Sequence, residues 1–176
     1  MKKRKCKYCK EKFDVKSNNH WLCSLDCFIE YDKEVKAKKW KKEKAKRKKD
    51  LMTLSDWLRD TQKIVNKYIR ERDRDVLDCI SCGKVINGVR HASHFMSSGG
   101  HSNIRFNTDN IWVSCYKCNV MLSGNQLPYR VRLIEKIGLE RVEQLESIAN
   151  ETKKYSIDEL KEIQKEFKEK IKSLKK

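Results

Sequence analysis

A chain of 176 residues with 38% apolar and 38% charged residues falls short of the ~45–50% apolar content of globular chains, which excludes one large hydrophobic core. Small metal-stapled units joined by polar helices fit this composition better, because metal replaces missing core. The net charge of +17 points to a polyanionic partner, nucleic acid being the commonest, and no run approaches the ~18 apolar residues of a membrane span.

Residues 1–28 hold the first cysteine set. Cys6 and Cys9 form one short knuckle, and Cys23 and Cys27 follow as a second. Two such knuckles brought together make a four-thiolate cage suited to structural Zn2+. The N-terminus is basic but has no apolar stretch of the kind a signal peptide carries. The expected compartment is therefore the cytoplasm, where disulfides are rare and eight cysteines point to metal. Residues 1–50 carry a net +11 and the remainder +6, so the excess sits at the N-terminal end. The lysine-rich run over 29–50 reads as one solvated helix. Within it Lys38, Lys39, Lys41 and Lys42 suit contacts to phosphates. From 51 to 74, Leu51, Leu54, Trp57, Leu58, Ile64, Val65, Tyr68 and Ile69 recur at helical spacing and predict a packed helix.

Residues 76–127 change character, with Gly, Ser, Asn and His accumulating. Here Cys79 and Cys82 pair with Cys115 and Cys118, which predicts a second structural zinc. "KVI" and "NIWVSC" read as strands. After Pro128, "YRVRLIEKIG" predicts a helix stopped by Gly138, and "LERVEQLESIA" predicts another. Ser156 and Glu159 form a capping box. The last helix that it opens has its apolar seam at Ile157, Leu160, Ile163, Phe167, Ile171 and Leu174.

The segment between the second pair of knuckles carries the chemistry. Phosphodiester hydrolysis needs a base to activate water, a divalent cation to stabilise the leaving oxygen, and donors to hold phosphate. Histidine suits the base, and oxygen-bearing side chains suit Mg2+. Arg105 and Arg130 are candidate bidentate phosphate clamps.

"HASH…GG…NIRF…DNIWVSCYKCN" resembles the HNH, or ββα-metal, nuclease motif, closest to the endonuclease VII-like branch framed by four cysteines. That resemblance implies His94 as general base, Asn110 as the residue pinning the loop, and Asn119 as a metal ligand. "CISCGK", "ASHF", "RFNTDN", "C-x2-CN-x2-LSGN" and "YRVRLIEKIG-x-ERVEQLE" together resemble the phage NinG/Rap family of recombination endonucleases across nearly the whole chain. Most HNH motifs have Asp just before the catalytic histidine, where this chain has Ser93. The candidate cation ligands are then Asn119, Ser93 and His91, with His101 and Asp109 as further ones.

The expected fold class is α+β: a small zinc-stapled, HNH-like nuclease unit with flanking long helices and an N-terminal four-cysteine zinc finger. The expected divisions are 1–28 for the finger, 29–75 for the basic arm and linker helix, 76–127 for the nuclease unit, and 128–176 for the C-terminal helices. By resemblance the function is metal-dependent cleavage of branched recombination intermediates, such as Holliday junctions and D-loops, with two structural Zn2+ and a catalytic Mg2+ or Mn2+. The long helices place the units or build a homodimer. The competing expectation is a non-catalytic, zinc-dependent DNA-binding or recombination adaptor protein.

Overall fold

The computed structural model describes residues 3–175. It is α+β, with five α-helices and two small two-stranded sheets among the described residues. The chain divides into two compact units, Met1–Met52 and Thr53–Lys176.

In the first unit, β1 (Lys3–Lys5) pairs antiparallel with β2 (Lys12–Asp14). The hairpin between them is the first knuckle. Lys10 N–H donates to the Cys6 carbonyl at 3.1 Å, and Lys10 takes a positive φ of 67° to close the turn. Helix α1 (Leu25–Asp50) begins earlier than the lysine run does. Ser24 caps it, its hydroxyl accepting from the Cys27 amide at 3.2 Å, which sets Cys27 in the first turn. No residue of α1 is buried; it is a solvated basic rod, as its composition demands. The apolar residues around 51–54 do not join it to the next helix. Leu51 is exposed, and the Thr53–Asp56 capping box starts a new one, α2 (Leu54–Arg72).

In the second unit, α2 packs along α5 (Ile157–Ser173). Trp57, Val65 and Ile69 face Leu160, Phe167 and Ile171, all buried, and Tyr68 stands edge-on to Phe167 with ring centroids 5.2 Å apart. Within this seam the Gln164 amide donates to the Thr61 hydroxyl at 3.0 Å, both side chains buried. The seam of α5 is thus part polar, and its ends Ile157 and Leu174 are exposed. The expected strand at "KVI" is an isolated bridge between Asp78 and Val85. The partner of β4 (Ile111–Ser114) is instead β3 (His91–His94), antiparallel, with His94 opposite Ile111. Helix α3 (Gln126–Ile137) starts two residues before Pro128, which the first turn tolerates because its amide needs no helical partner there. Gly138, at φ 88°, ends it and opens α4 (Leu139–Ala149). Ile80, Phe95, Ile104, Tyr129, Leu133, Val142 and Leu145 form the core between the sheet and these helices.

The end of α2 is locked to β4 by an adjacent pair of opposite charges. Arg72 Nε and Nη2 donate to the two Asp73 carboxylate oxygens at 2.6 and 2.8 Å. The same guanidinium donates to the Thr108 and Ile111 carbonyls and lies over the Trp112 ring, 3.9 Å from its centroid. Asp73, 2% exposed, also accepts from the Val113 amide. Breaking a buried pair strands the other charge, at ~3–5 kcal/mol. Asp73→Ala is expected to destabilise the second unit by an amount in that range, read from the denaturant midpoint. A loss under ~1 kcal/mol would remove this role.

Candidate functional site

Each four-cysteine set closes into a compact cluster, with its sulfurs all within 4.8 Å of one another. In the first, Cys9 Sγ lies 3.5 Å from Cys23 Sγ, and Cys23 Sγ lies 3.4 Å from Cys27 Sγ. In the second, Cys82 and Cys115 sulfurs are 4.0 Å apart. These separations are too long for disulfides. They bracket the ~3.8 Å edge of a tetrahedron with ~2.3 Å metal–sulfur bonds. Burial pushes the Cys79 thiol up, but amides of Cys115, Cys82 and Ser81 outweigh it and bring Cys79 to about 7. Burial and the Cys115 and Cys82 thiols push Cys118 up to about 12. Cys23 is likewise held up to about 12, by Cys27 and Cys9. Neighbouring thiols thus hold Cys23 and Cys118 protonated, a repulsion that a dication would relieve. Both groups can therefore hold a metal ion. His20 stays outside the first cluster: it packs edge-on against Phe13 and accepts from the Lys16 amide.

The second cluster frames the sheet end that carries the candidate chemistry. Ile80 N–H donates to the Val113 carbonyl, and Ser81 Oγ donates to the Gly124 carbonyl at 3.0 Å. Cys118 lies in a short π-helical turn, Lys117–Met121, which also contains Asn119. Ser123, Gly124 and Asn125 then take positive φ in succession. Gly124 N–H donates to the Cys118 carbonyl, and the Asn125 amide donates to Cys118 Sγ. A Cβ on Gly124 would stand 3.8 Å from the His94 carbonyl, so this turn lies against the end of β3.

His94 Nε2 lies 3.0 Å from the Arg105 carbonyl. A carbonyl only accepts, so Nε2 carries the proton and Nδ1 keeps its lone pair. Burial lowers the His94 pKa below its ordinary value, the Arg105 charge adds to this, and the carbonyl contact opposes it. Asn110 is fully buried. Its Oδ1 accepts from the Met96 amide at 2.9 Å, while Nδ2 donates to the Met96 and Ile104 carbonyls at 3.0 and 3.2 Å. It therefore clamps both ends of the loop between the strands. Asn119 is half-buried, and its side-chain amide makes no hydrogen bond among the described residues.

Other candidates are placed differently from expectation. Ser93 is 1% exposed with an unpartnered hydroxyl, and strand alternation puts it with His91 on the face opposite His94. The His91 ring stands edge-on to Tyr116. Asp109 is paired with Arg141 at 2.6 Å. His101 is tied down, its Nδ1 3.1 Å from the Ala149 carbonyl. Arg130 has its fork on Glu146, at 2.6 and 2.9 Å, an ion pair that braces α3 on α4. Arg105 makes no ion pair among the described residues, and its Nε is buried without a partner. Lys38, Lys39, Lys41 and Lys42 are exposed on α1, with Lys38 near Glu34. Sequence reasoning missed Arg72, Asp73 and Tyr129, whose hydroxyl donates to the Ser93 carbonyl. Arg72 and Asp73 sit in the run "RERDRD", which reads as a solvated charge cluster and gives no sign of burial.

Among the described residues no helix is long and apolar enough to cross a membrane. No solved structure gives a significant match. Protein ninG of Escherichia phage lambda is 38% identical over 192 residues, spanning 98% of this chain and 93% of its own. Protein ninG of Salmonella phage P22 is 37% identical, spanning 98% and 94%, and that of Escherichia phage 933W is 36% identical over similar shares. The model of the family described as "Bacteriophage Lambda NinG protein" matches residues 1–176, and the chain belongs to that NinG family.

Proposed function

We propose that this protein is a metal-dependent endonuclease of phage recombination, cutting branched DNA such as Holliday junctions and D-loops. The observation that carries the reading is His94, held in one tautomer by the Arg105 carbonyl and kept neutral by burial. Its free Nδ1 accepts a proton from water as the water oxygen bonds to phosphorus. The bond from phosphorus to the 3′ oxygen breaks in line, and solvent protonates the departing oxygen. Asn110 fixes the loop so that the Arg105 carbonyl stays on Nε2.

Among the described residues no third cluster of His, Cys, Asp or Glu joins the two cysteine groups. The reading assigns the cation to the Asn119 oxygen, the ligand that the motif resemblance implies, with water and DNA phosphate completing its shell. When bound there, Mg2+ or Mn2+ would stabilise charge on the leaving oxygen. The two cysteine clusters are read as structural Zn2+ sites with no open position.

The neutral Ser93 favours a second reading, a non-catalytic zinc-dependent DNA-binding or recombination adaptor protein. One experiment separates them: incubation of linear, forked and four-way DNAs with the protein, with and without Mg2+ or Mn2+. Metal-dependent nicks, most abundant on branched DNA, are expected. Binding without cleavage under every metal would overturn the nuclease reading and leave the adaptor.

The α1 arm is read as a phosphate grip without base readout. Residues 33–50 hold 11 Lys/Arg against 3 acids, with Trp40 the one aromatic, and phosphate contacts carry no sequence information. Replacing Lys38, Lys39, Lys41 and Lys42 with Gln is expected to weaken binding to all DNAs. It should also flatten the slope of log affinity against log salt by up to ~0.9 per lost contact. Equal slopes for variant and parent would show that the arm does not touch DNA.

A further inference from the structure

A groove of about 420 Å³ runs between α2 and Arg105. From α2 it takes Arg59, Gln62, Lys63 and Asn66, and no acid lines it. Arg59 and Lys63 are one helical turn apart and share a face. Their present partners are Asp56 and Asp60, each three residues away on the same helix. Such exposed pairs are worth little and exchange readily for a phosphate. Gln62 Nε2 donates to Asn66 Oδ1, which leaves the Asn66 amide hydrogens free to donate. Arg105 closes the groove from the other side. Its Nε–H is buried without an acceptor, an arrangement costly to keep unless a ligand supplies one. Its carbonyl, meanwhile, holds His94. A single residue thus joins the groove to the candidate base.

We propose that this groove seats the phosphates flanking the scissile one on the DNA strand that is cut, with Arg59, Lys63 and Arg105 as the cations and Asn66 as a neutral donor. The proposal rests on the nuclease reading for the identity of the strand. It does not need that reading for the groove to bind DNA.

The test compares the parent with Arg59→Gln/Lys63→Gln and with a control, Lys67→Gln/Arg70→Gln, which removes two charges from α2 outside the groove. Affinity for a four-way junction is measured from low to high salt without added Mg2+, and cleavage kinetics are measured with it. For the groove variant the salt slope should fall in magnitude by up to ~1.8, two contacts at ~0.9 each. KM should rise about tenfold or more while kcat at saturation changes less than about threefold, the signature of lost uniform binding. Thermal unfolding should match the parent, since both side chains are in exposed pairs. A slope equal to the parent's, or an equal loss in the control, would overturn the groove. A parent that binds but never cuts would overturn the nuclease reading, and a reduced slope in the groove variant would then still support the groove.

Discussion

With His94 replaced by alanine, the protein is expected to bind branched DNA as the parent does and to cut it ~10²–10⁴-fold more slowly, the usual contribution of a positioned general base. The substitution also leaves the Arg105 carbonyl without its donor, at ~1–3 kcal/mol of stability, so the melting curve must accompany the rates. The parent's pH profile carries the same information. The neutral imidazole is the active form, and burial depresses its pKa below the ordinary histidine value. Activity should therefore be lost as pH falls through that lowered value and be flat above neutrality. His94→Ala should abolish the acid limb along with most of the rate. A variant that folds and cuts at near-parental speed would sink the assignment of the base.

Metal removal should have the second large effect. Two zinc ions per chain are expected, each on four sulfurs. Structural zinc supplies ~10–16 kcal/mol of apparent binding free energy, as much as the entire ~5–15 kcal/mol of a typical domain. Exhaustive chelation should therefore unfold both frames, with loss of helical circular dichroism and of any cleavage that Mg2+ alone cannot restore. Cys79→Ser should leave one zinc per chain and remove β3 and β4 from register, because Cys79, through Ile80, and Cys115 sit directly on that sheet. Fewer than two tightly held zincs in fresh protein, or a fold indifferent to chelation, would refute the structural role.

The cysteine clusters, the helices and the capping box at Ser156 were legible because each is a local signal: a spacing, a period, a cap. Asn110 was legible through resemblance, and the three hydrogen bonds of its side chain give that resemblance a physical content. Long-range choices were hidden. β3 lies at "HASH", where two histidines and a serine give no strand alternation, and tertiary pairing with β4 overrides local preference. Asp73 and Gln164 are polar residues in polar stretches, and only their partners from distant segments reveal them as buried. Arg130 could not be told from Arg105 by sequence, since the difference is a carboxylate on another helix.

The Asn110 clamp also determines what the loop ahead of it is free to become. Its amide meets both the N–H and the C=O of Met96, as a facing strand residue would, so the sheet is in effect extended one rung past its backbone end. The loop beyond Met96, with Gly99 and Gly100 exposed at its tip, is closed by that rung, and Ile104, fully buried, anchors its far side in the core. Loop closure grows only slowly with length, about 0.6 kcal/mol for each doubling. Changes confined to Gly99 and Gly100 at the tip should therefore leave His94 and the Arg105 carbonyl in place.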